Sequence, residues 1–164
     1  YFTLIFSLLG RVTMQQWMIR VLMIPGFCMA TFANAVDIAG TWKTVDDKTG
    51  YVLAYVKIEQ LANQTYTGTI IEQFTYPGLG MIELCQKCPA PHTDKKIKGL
   101  QIISNLIKDP KKDDSYIQGK VLDPVIGKIY NLKMKATPDG RKLRLRGYVG
   151  VSALGRSQTW LRKE

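Results

Sequence analysis

Histidine and cysteine are scarce in this chain: one histidine and three cysteines among 164 residues. So few bases and soft ligands leave little room for a multi-ligand metal centre or a histidine-based catalytic network. Acids are under-represented as well, 13 against 23 lysines and arginines, for a formal net charge of +10. No Gly-x-Ser-x-Gly elbow, phosphate loop or dinucleotide fingerprint occurs. The acids fall singly or near turn signals, as Asp46-Asp47, Asp113-Asp114 and Asp123 do, where their ordinary work is to bond the turn backbone. Internal repeats, low-complexity tracts and a dividing linker are missing too. What remains is 46% hydrophobic and 22% charged, a globular composition that sets aside disorder, coiled coils and collagen-like fibres and suits one domain.

The first 35 residues read as a leader. Translation is expected to start at Met14 or Met18, with residues 1–13 an overextended reading frame. Arg20 is followed by an apolar stretch from Val21 to Phe32, and Ala33-Asn34-Ala35 supplies the small-x-small pattern of a signal-peptidase site. That stretch is shorter than the roughly 20 residues a membrane span needs, and Pro25-Gly26 breaks it. Cleavage is expected after Ala35, which places residues 36–164 in the periplasm or outside the cell. Cys28 leaves with the leader, and the remaining pair, Cys85 and Cys88, meets an oxidising compartment.

The rest of the chain is a succession of short strands. Lys142 to Val149 alternates with a period of two: Leu143, Leu145 and Val149 against Lys142, Arg144, Arg146 and Tyr148. Lys128 to Ala136 does the same, with Tyr130, Leu132, Met134 and Ala136 on one face. Val52–Gln60 and Thr65–Phe74 are further strands, and Gly40–Val45, Met81–Gln86, Tyr116–Leu122 and Ser157–Lys163 complete a set of eight. Turn signals such as Asp47-Lys48-Thr49-Gly50 and Pro138-Asp139-Gly140 separate them. Leu100, Ile103, Leu106 and Ile107 have helical spacing, which predicts one short helix over 100–108, stopped by Asp109-Pro110. The expected fold class is all-β, an eight-stranded antiparallel barrel with one short helix. Closure removes exposed edges, and eight strands are just wide enough to be filled or to hold one small ligand. An open sandwich is the competing architecture.

Gly40-Thr41-Trp42 at the first strand resembles the Gly-x-Trp opening of lipocalins and their calycin relatives. In that superfamily a basic side chain near the last strand packs over the tryptophan, and Arg162 stands where it could do so here. A longer pattern is more specific: Gly40-Thr41-Trp42-Lys43 with Asp46, Asp47 and Gly50, Cys85-x-x-Cys88, Gly119 with Asp123-Pro124, and Gly127-Lys128-Ile129-Tyr130. With Leu143 to Gly150 and Leu154 to Trp160 it resembles an exported bacterial family of unknown function, number 2147, over nearly all of residues 36–164. Tyr116 stands where that family more often carries tryptophan. The resemblance implies a lipocalin-like fold and brings no catalytic residue or cofactor.

Cys85-Gln86-Lys87-Cys88 carries the most chemistry. It reads first as a structural disulfide, with a redox-active dithiol and a metal site of Cys85, Cys88 and His92, with Asp94 as a further ligand, as alternatives. Trp42, Tyr130, Tyr148 and Trp160 are candidates for a barrel interior or mouth. Arg146 joins them if its strand's polar face points inward, where its planar fork would suit a carboxylate or phosphate. If the last hairpins pair, Lys133 and Lys135 with Lys142, Arg144 and Arg146 form a cationic outer patch. That patch would attract an anionic envelope surface or serve as an ordinary solvated exterior. Nucleic acid is a poor fit, because no aromatic stacking platform interleaves with the basic residues. The sequence therefore points to a non-catalytic exported barrel that binds a small amphipathic or anionic molecule. An envelope protein acting through its basic surface over a filled barrel is the second reading, and a thiol-redox or metal-handling protein the third.

Overall fold

The computed structural model describes residues 36–164 apart from residues 76, 77 and 79. The leader and its cleavage site lie outside the described residues. Eight strands follow in order: β1 Gly40–Val45, β2 Val52–Gln60, β3 Tyr66–Gln73, β4 Gln101–Lys108, β5 Ser115–Asp123, β6 Lys128–Ala136, β7 Lys142–Tyr148 and β8 Arg156–Arg162. Each pairs antiparallel with its sequence neighbour, and β1 pairs with β8, so the sheet closes into an up-and-down barrel. Seven seams join neighbours in sequence. The eighth is short, matching Trp42 with Arg162, Lys43 with Leu161 and Thr44 with Trp160.

Period-two alternation decides which side chains fill the barrel. On β6, Leu132, Met134 and Ala136 are buried while Lys133 and Lys135 are exposed; on β7, Leu143 and Leu145 are buried while Lys142 and Arg144 are exposed. The buried set runs continuously around the inside through Val56, Ile58, Ile70, Ile103, Leu106 and Leu122.

Two predicted elements differ. Residues 101–108 form strand β4, not a helix. Asn105 has a φ of 55°, and the β3–β4 register shifts around Gly68, so the inward positions Ile103 and Leu106 fall three residues apart. An extra residue in a strand thus imitates helical spacing. Residues 81–86 in turn do not form a barrel strand. Their backbone groups are satisfied within the long β3–β4 connection, where the Cys85 amide donates to Lys95 O at 2.9 Å and the Ile97 amide to Glu83 O at 2.9 Å. A single bridge pairs Leu84 with Lys96. The helix that does occur among the described residues is one 3-10 turn, Ser152–Leu154, and β7 ends at Tyr148, leaving Val149 in the loop.

Because strands alternate in direction, the connections segregate. Those at 61–65, 109–114 and 137–141 lie at one end, the floor. Those at 46–51, 74–100, 124–127 and 149–155 lie at the other, the mouth.

Candidate functional site

The floor is sealed by residues 36–39 and by one arginine. Trp42 is fully buried, and its indole Nε1 donates to Ile38 O at 2.9 Å. The guanidinium of Arg162 lies over that indole, 4.4 Å from the ring centroid. Its nitrogens donate to three carbonyls: Gly140 O at 2.7 Å, Ala39 O at 2.9 Å and Asp37 O at 2.8 Å. Gly40 makes this possible. Its φ is +131°, and a Cβ there would sit 2.7 Å from Arg162 Nη1. Tyr66 and Tyr116 complete the floor edge-to-face, with ring centroids 5.1 Å apart. Tyr116 donates to Val36 O at 2.9 Å and Tyr66 to Asp37 Oδ1 at 3.3 Å. Burial pushes both phenol pKa values above the ordinary tyrosine value.

Above this floor the barrel is hollow. A cavity of about 720 Å³ opens between the mouth loops, within the 300–1,000 Å³ range of small-molecule sites. Val56, Ile70, Ile102, Leu132, Leu145 and Trp160 form much of its wall, and Gln158 brings an amide to it. Asp123 and Arg156 border the space at the strand ends that open on the mouth. Both are engaged: Asp123 Oδ1 accepts from the Val125 and Ile126 amides, and Arg156 Nη2 reaches Asp47 Oδ2 at 3.4 Å. Trp160 Nε1 is buried without a hydrogen-bond partner among the described residues.

The sequence-predicted residues divide between these places. Tyr130 and Trp160 line the cavity. Tyr148 borders it, while its ring lies under Lys133 Nζ, 5.5 Å from the centroid. Trp42 belongs to the floor with Arg162, and the cavity does not reach it. Arg146 is a correction: it stands on the outer face, because β7 turns Leu143 and Leu145 inward and so turns 144 and 146 out. There it donates to Ser152 O at 2.5 Å, Ala153 O at 2.8 Å and Ser157 Oγ at 2.9 Å, tying down the β7–β8 loop.

Cys85 and Cys88 form a disulfide, with Cα atoms 5.4 Å apart. Both are buried, out of reach of an exchanging thiol. As a disulfide they offer no thiolates to a metal, and no group of three potential ligands stands together among the described residues. His92 and Asp94 lie in the same connection; the His92 amide donates to Pro89 O and the Asp94 amide to Cys85 O. The disulfide loop braces the mouth. Cys85 Sγ packs 3.8 Å from Pro124 O, and the Lys87 carbonyl lies so near Gly127 that a Cβ there would come within 1.9 Å of it.

One feature escapes the sequence reading, the rim, where Met81, Ile82, Val125, Ile126, Val149, Val151 and Leu154 are all exposed. Its signal is the lack of charge in 124–127 and 149–155. The cationic outer patch expected from the sequence is present, since β6 and β7 pair, with Lys133 facing Arg146 and Lys135 facing Arg144. With Lys112 these side chains line an outer groove of about 460 Å³.

The architecture has a known counterpart. Protein HP1028 from the human pathogen Helicobacter pylori, described as belonging to the lipocalin family, superposes with a TM-score of 0.63 over 79% of this chain and 84% of that one, at 23% identity. No curated protein matches the chain. The family described as "Uncharacterized protein conserved in bacteria (DUF2147)" matches residues 40–162, from the glycine beneath Arg162 to Arg162 itself. The match spans the closed eight-stranded antiparallel barrel almost end to end and covers most of the chain, which is therefore a member of the DUF2147 family.

Proposed function

We propose that this protein is a non-catalytic binding barrel of the bacterial envelope that holds one small, mostly apolar molecule. The observation that carries the reading is the cavity of about 720 Å³, open at the mouth and closed by Trp42 and Arg162 below. Its wall is aliphatic and aromatic, so burying a ligand's apolar surface supplies the affinity, at about 25 cal/mol per Å² removed from water. Gln158 supplies orientation. An anionic group fits only at the rim, beside Arg156, since Arg146 lies outside and an unpaired charge in the apolar interior would be costly. The ligand is therefore amphipathic in a defined sense, with a neutral body inside and any charge at the opening. The leader expected over residues 1–35 supports placing the protein in the periplasm or outside the cell.

The test is titration with Nile red, a neutral apolar fluorophore, alongside native mass spectrometry of the purified protein. One saturable site is expected, weakened at least tenfold by Leu145→Trp, which pushes a bulkier ring into the cavity from its wall. Ala54→Phe is the second variant should the first fold poorly. Binding that both folded variants leave unchanged would refute the cavity reading.

A second reading has its own observation. Cations directly opposite one another across a strand pair are destabilising. In the facing pairs Lys133–Arg146 and Lys135–Arg144, Arg146 is bonded to the β7–β8 loop and Lys135 to Asp114, which leaves Lys133 and Arg144 to meet an anionic polymer or surface. Binding through this wall alone would weaken steeply with salt and ignore Leu145→Trp.

A further inference from the structure

The two ends of the barrel differ in chemistry as well as in shape. Two floor connections carry charge, 109–114 reading Asp-Pro-Lys-Lys-Asp-Asp and 137–141 containing Asp139 and Arg141, while 61–65 reads Leu-Ala-Asn-Gln-Thr with none. At the mouth, 124–127 reads Pro-Val-Ile-Gly and 149–155 reads Val-Gly-Val-Ser-Ala-Leu-Gly, with no charged residue in either. Their aliphatic side chains project into water: Val149 is 70% exposed, Val151 63% and Leu154 83%, with Val125, Ile126, Met81 and Ile82 beside the same opening. Of the exposed large hydrophobics, Leu61 is the one in a floor connection. A crown of exposed apolar residues around a cavity entrance marks an interaction surface.

We propose that this crown docks, mouth first, on an anionic lipid surface. Three observations select lipid as the occupant. The crown consists of separate glycine- and serine-spaced loop tips, a form that enters a fluid interface without needing a shaped partner. The charge beside it is complementary: Lys87 and Lys128, next to the β5–β6 turn, and Lys95, Lys96 and Lys98 in the neighbouring connection are exposed and form no ion pair among the described residues. Of the nearby acids, Asp46 and Asp123 are bonded by turn amides and Asp47 by Arg156, while the exposed Glu83 and Asp94 of the long connection are outnumbered by these lysines. Finally, the cavity opens through the middle of the crown, so docking brings it against a reservoir of poorly water-soluble molecules. This last point rests on the proposed function. The barrel does not span the bilayer with its wall, because Lys133, Lys135, Lys142 and Arg144 stud the outer face where a membrane barrel carries an apolar band.

The experiment is flotation of the purified protein with vesicles of phosphatidylcholine alone and of phosphatidylcholine mixed with phosphatidylglycerol. The expected result is binding to the mixed vesicles that falls at least about tenfold in the double variant Val151→Ser/Leu154→Ser, while Leu61→Ser at the floor leaves it unchanged. The floor variant controls for apolar surface elsewhere on the barrel, and residues 1–35 are the same in all the variants compared. Absence of binding to mixed vesicles overturns the proposal. So does binding that the double variant does not weaken, which would place the contact on the basic wall. A crown-dependent dimer in solution without vesicle binding overturns it in favour of self-association. Nile red binding in the absence of vesicles is read in parallel: its loss indicts the cavity, whereas its retention without flotation indicts the docking alone.

Discussion

Arg162 lies flat on the indole of Trp42, 4.4 Å from its centroid, and at the same time donates to the carbonyls of Asp37, Ala39 and Gly140. One side chain therefore caps the core, ties down the segment before β1 and anchors the β6–β7 turn. Its energetic weight follows from that concentration. Arg162→Ala removes a cation–π contact and three charge-assisted hydrogen bonds and is expected to cost about 2–4 kcal/mol. Arg162→Lys keeps the charge but lacks the planar fork, so it should recover less than half of the loss. Urea unfolding of the three proteins tests both values, and equal stability of all three would show the cap to be energetically idle.

Gly127 and Gly50 share a backbone conformation, with φ of +72° and +75°, but not surroundings. Around Gly50 there is open space, so Gly50→Ala should cost only the backbone strain of about 1 kcal/mol. At Gly127 the new Cβ meets the Lys87 carbonyl, and the cost should exceed that of Gly50→Ala by at least about 2 kcal/mol. Thermal unfolding of the two variants gives the difference. Equal values would mean that the disulfide loop does not brace the β5–β6 turn.

The floor tyrosines predict a loss of stability in alkali. Burial raises the folded pKa of Tyr66 and Tyr116, whereas an unfolded tyrosine ionises near about 10. Between those values the unfolded chain holds fewer protons than the folded one, so unfolding is favoured as pH rises. The contribution is fully present below about pH 10 and is lost as pH climbs toward the raised folded values. Tyr66→Phe should flatten this part of the stability–pH curve relative to the native protein. An unchanged slope would contradict the burial effect at Tyr66.

Replacing Cys85 and Cys88 together by serine should leave the barrel closed. The loop they close is short, so the loss should be about 2 kcal/mol or less. The effect should be local: faster amide exchange across residues 81–99 and 124–127, with β1 and β6–β8 unaltered. Exchange that rises evenly over the whole barrel would assign the disulfide a global role.

Much of this architecture was legible in the sequence, because alternation survives wherever a strand is regular. Strands β6 and β7 show it in their lysines and arginines, and the same parity fixes Arg146 outside the barrel. An inward Arg146 would need the polar face of β7 to point inward, whereas its partner strand β6 turns Leu132 and Met134 inward. Strand β4 was hidden for a different reason. The irregularity at Asn105 changes the spacing of inward residues from two to three, which is also the signature of a helix face. The segment 81–86 looked like a strand because it is apolar, but its backbone hydrogen bonds at Glu83 and Cys85 go to residues 94–97, and β3 reaches it only through the Gln73 side chain on Ile82 O. Of the site, the stacking of Arg162 on Trp42 was readable, and Tyr130 and Trp160 stand on the cavity wall while Trp42 does not. The hollow itself was not, since it depends on how far opposite walls stand apart.

The β1–β8 seam has one consequence for the order of events during synthesis. Every other seam joins neighbours and can zip as a hairpin while the chain is still emerging. Trp42 is made early, yet its cover, Arg162, arrives about 120 residues later, at the end of the last strand. Until then the nascent barrel is an open, curling sheet with two unpaired edges and an uncapped indole. Chaperone protection of this protein should accordingly be needed until the moment of closure and not beyond it.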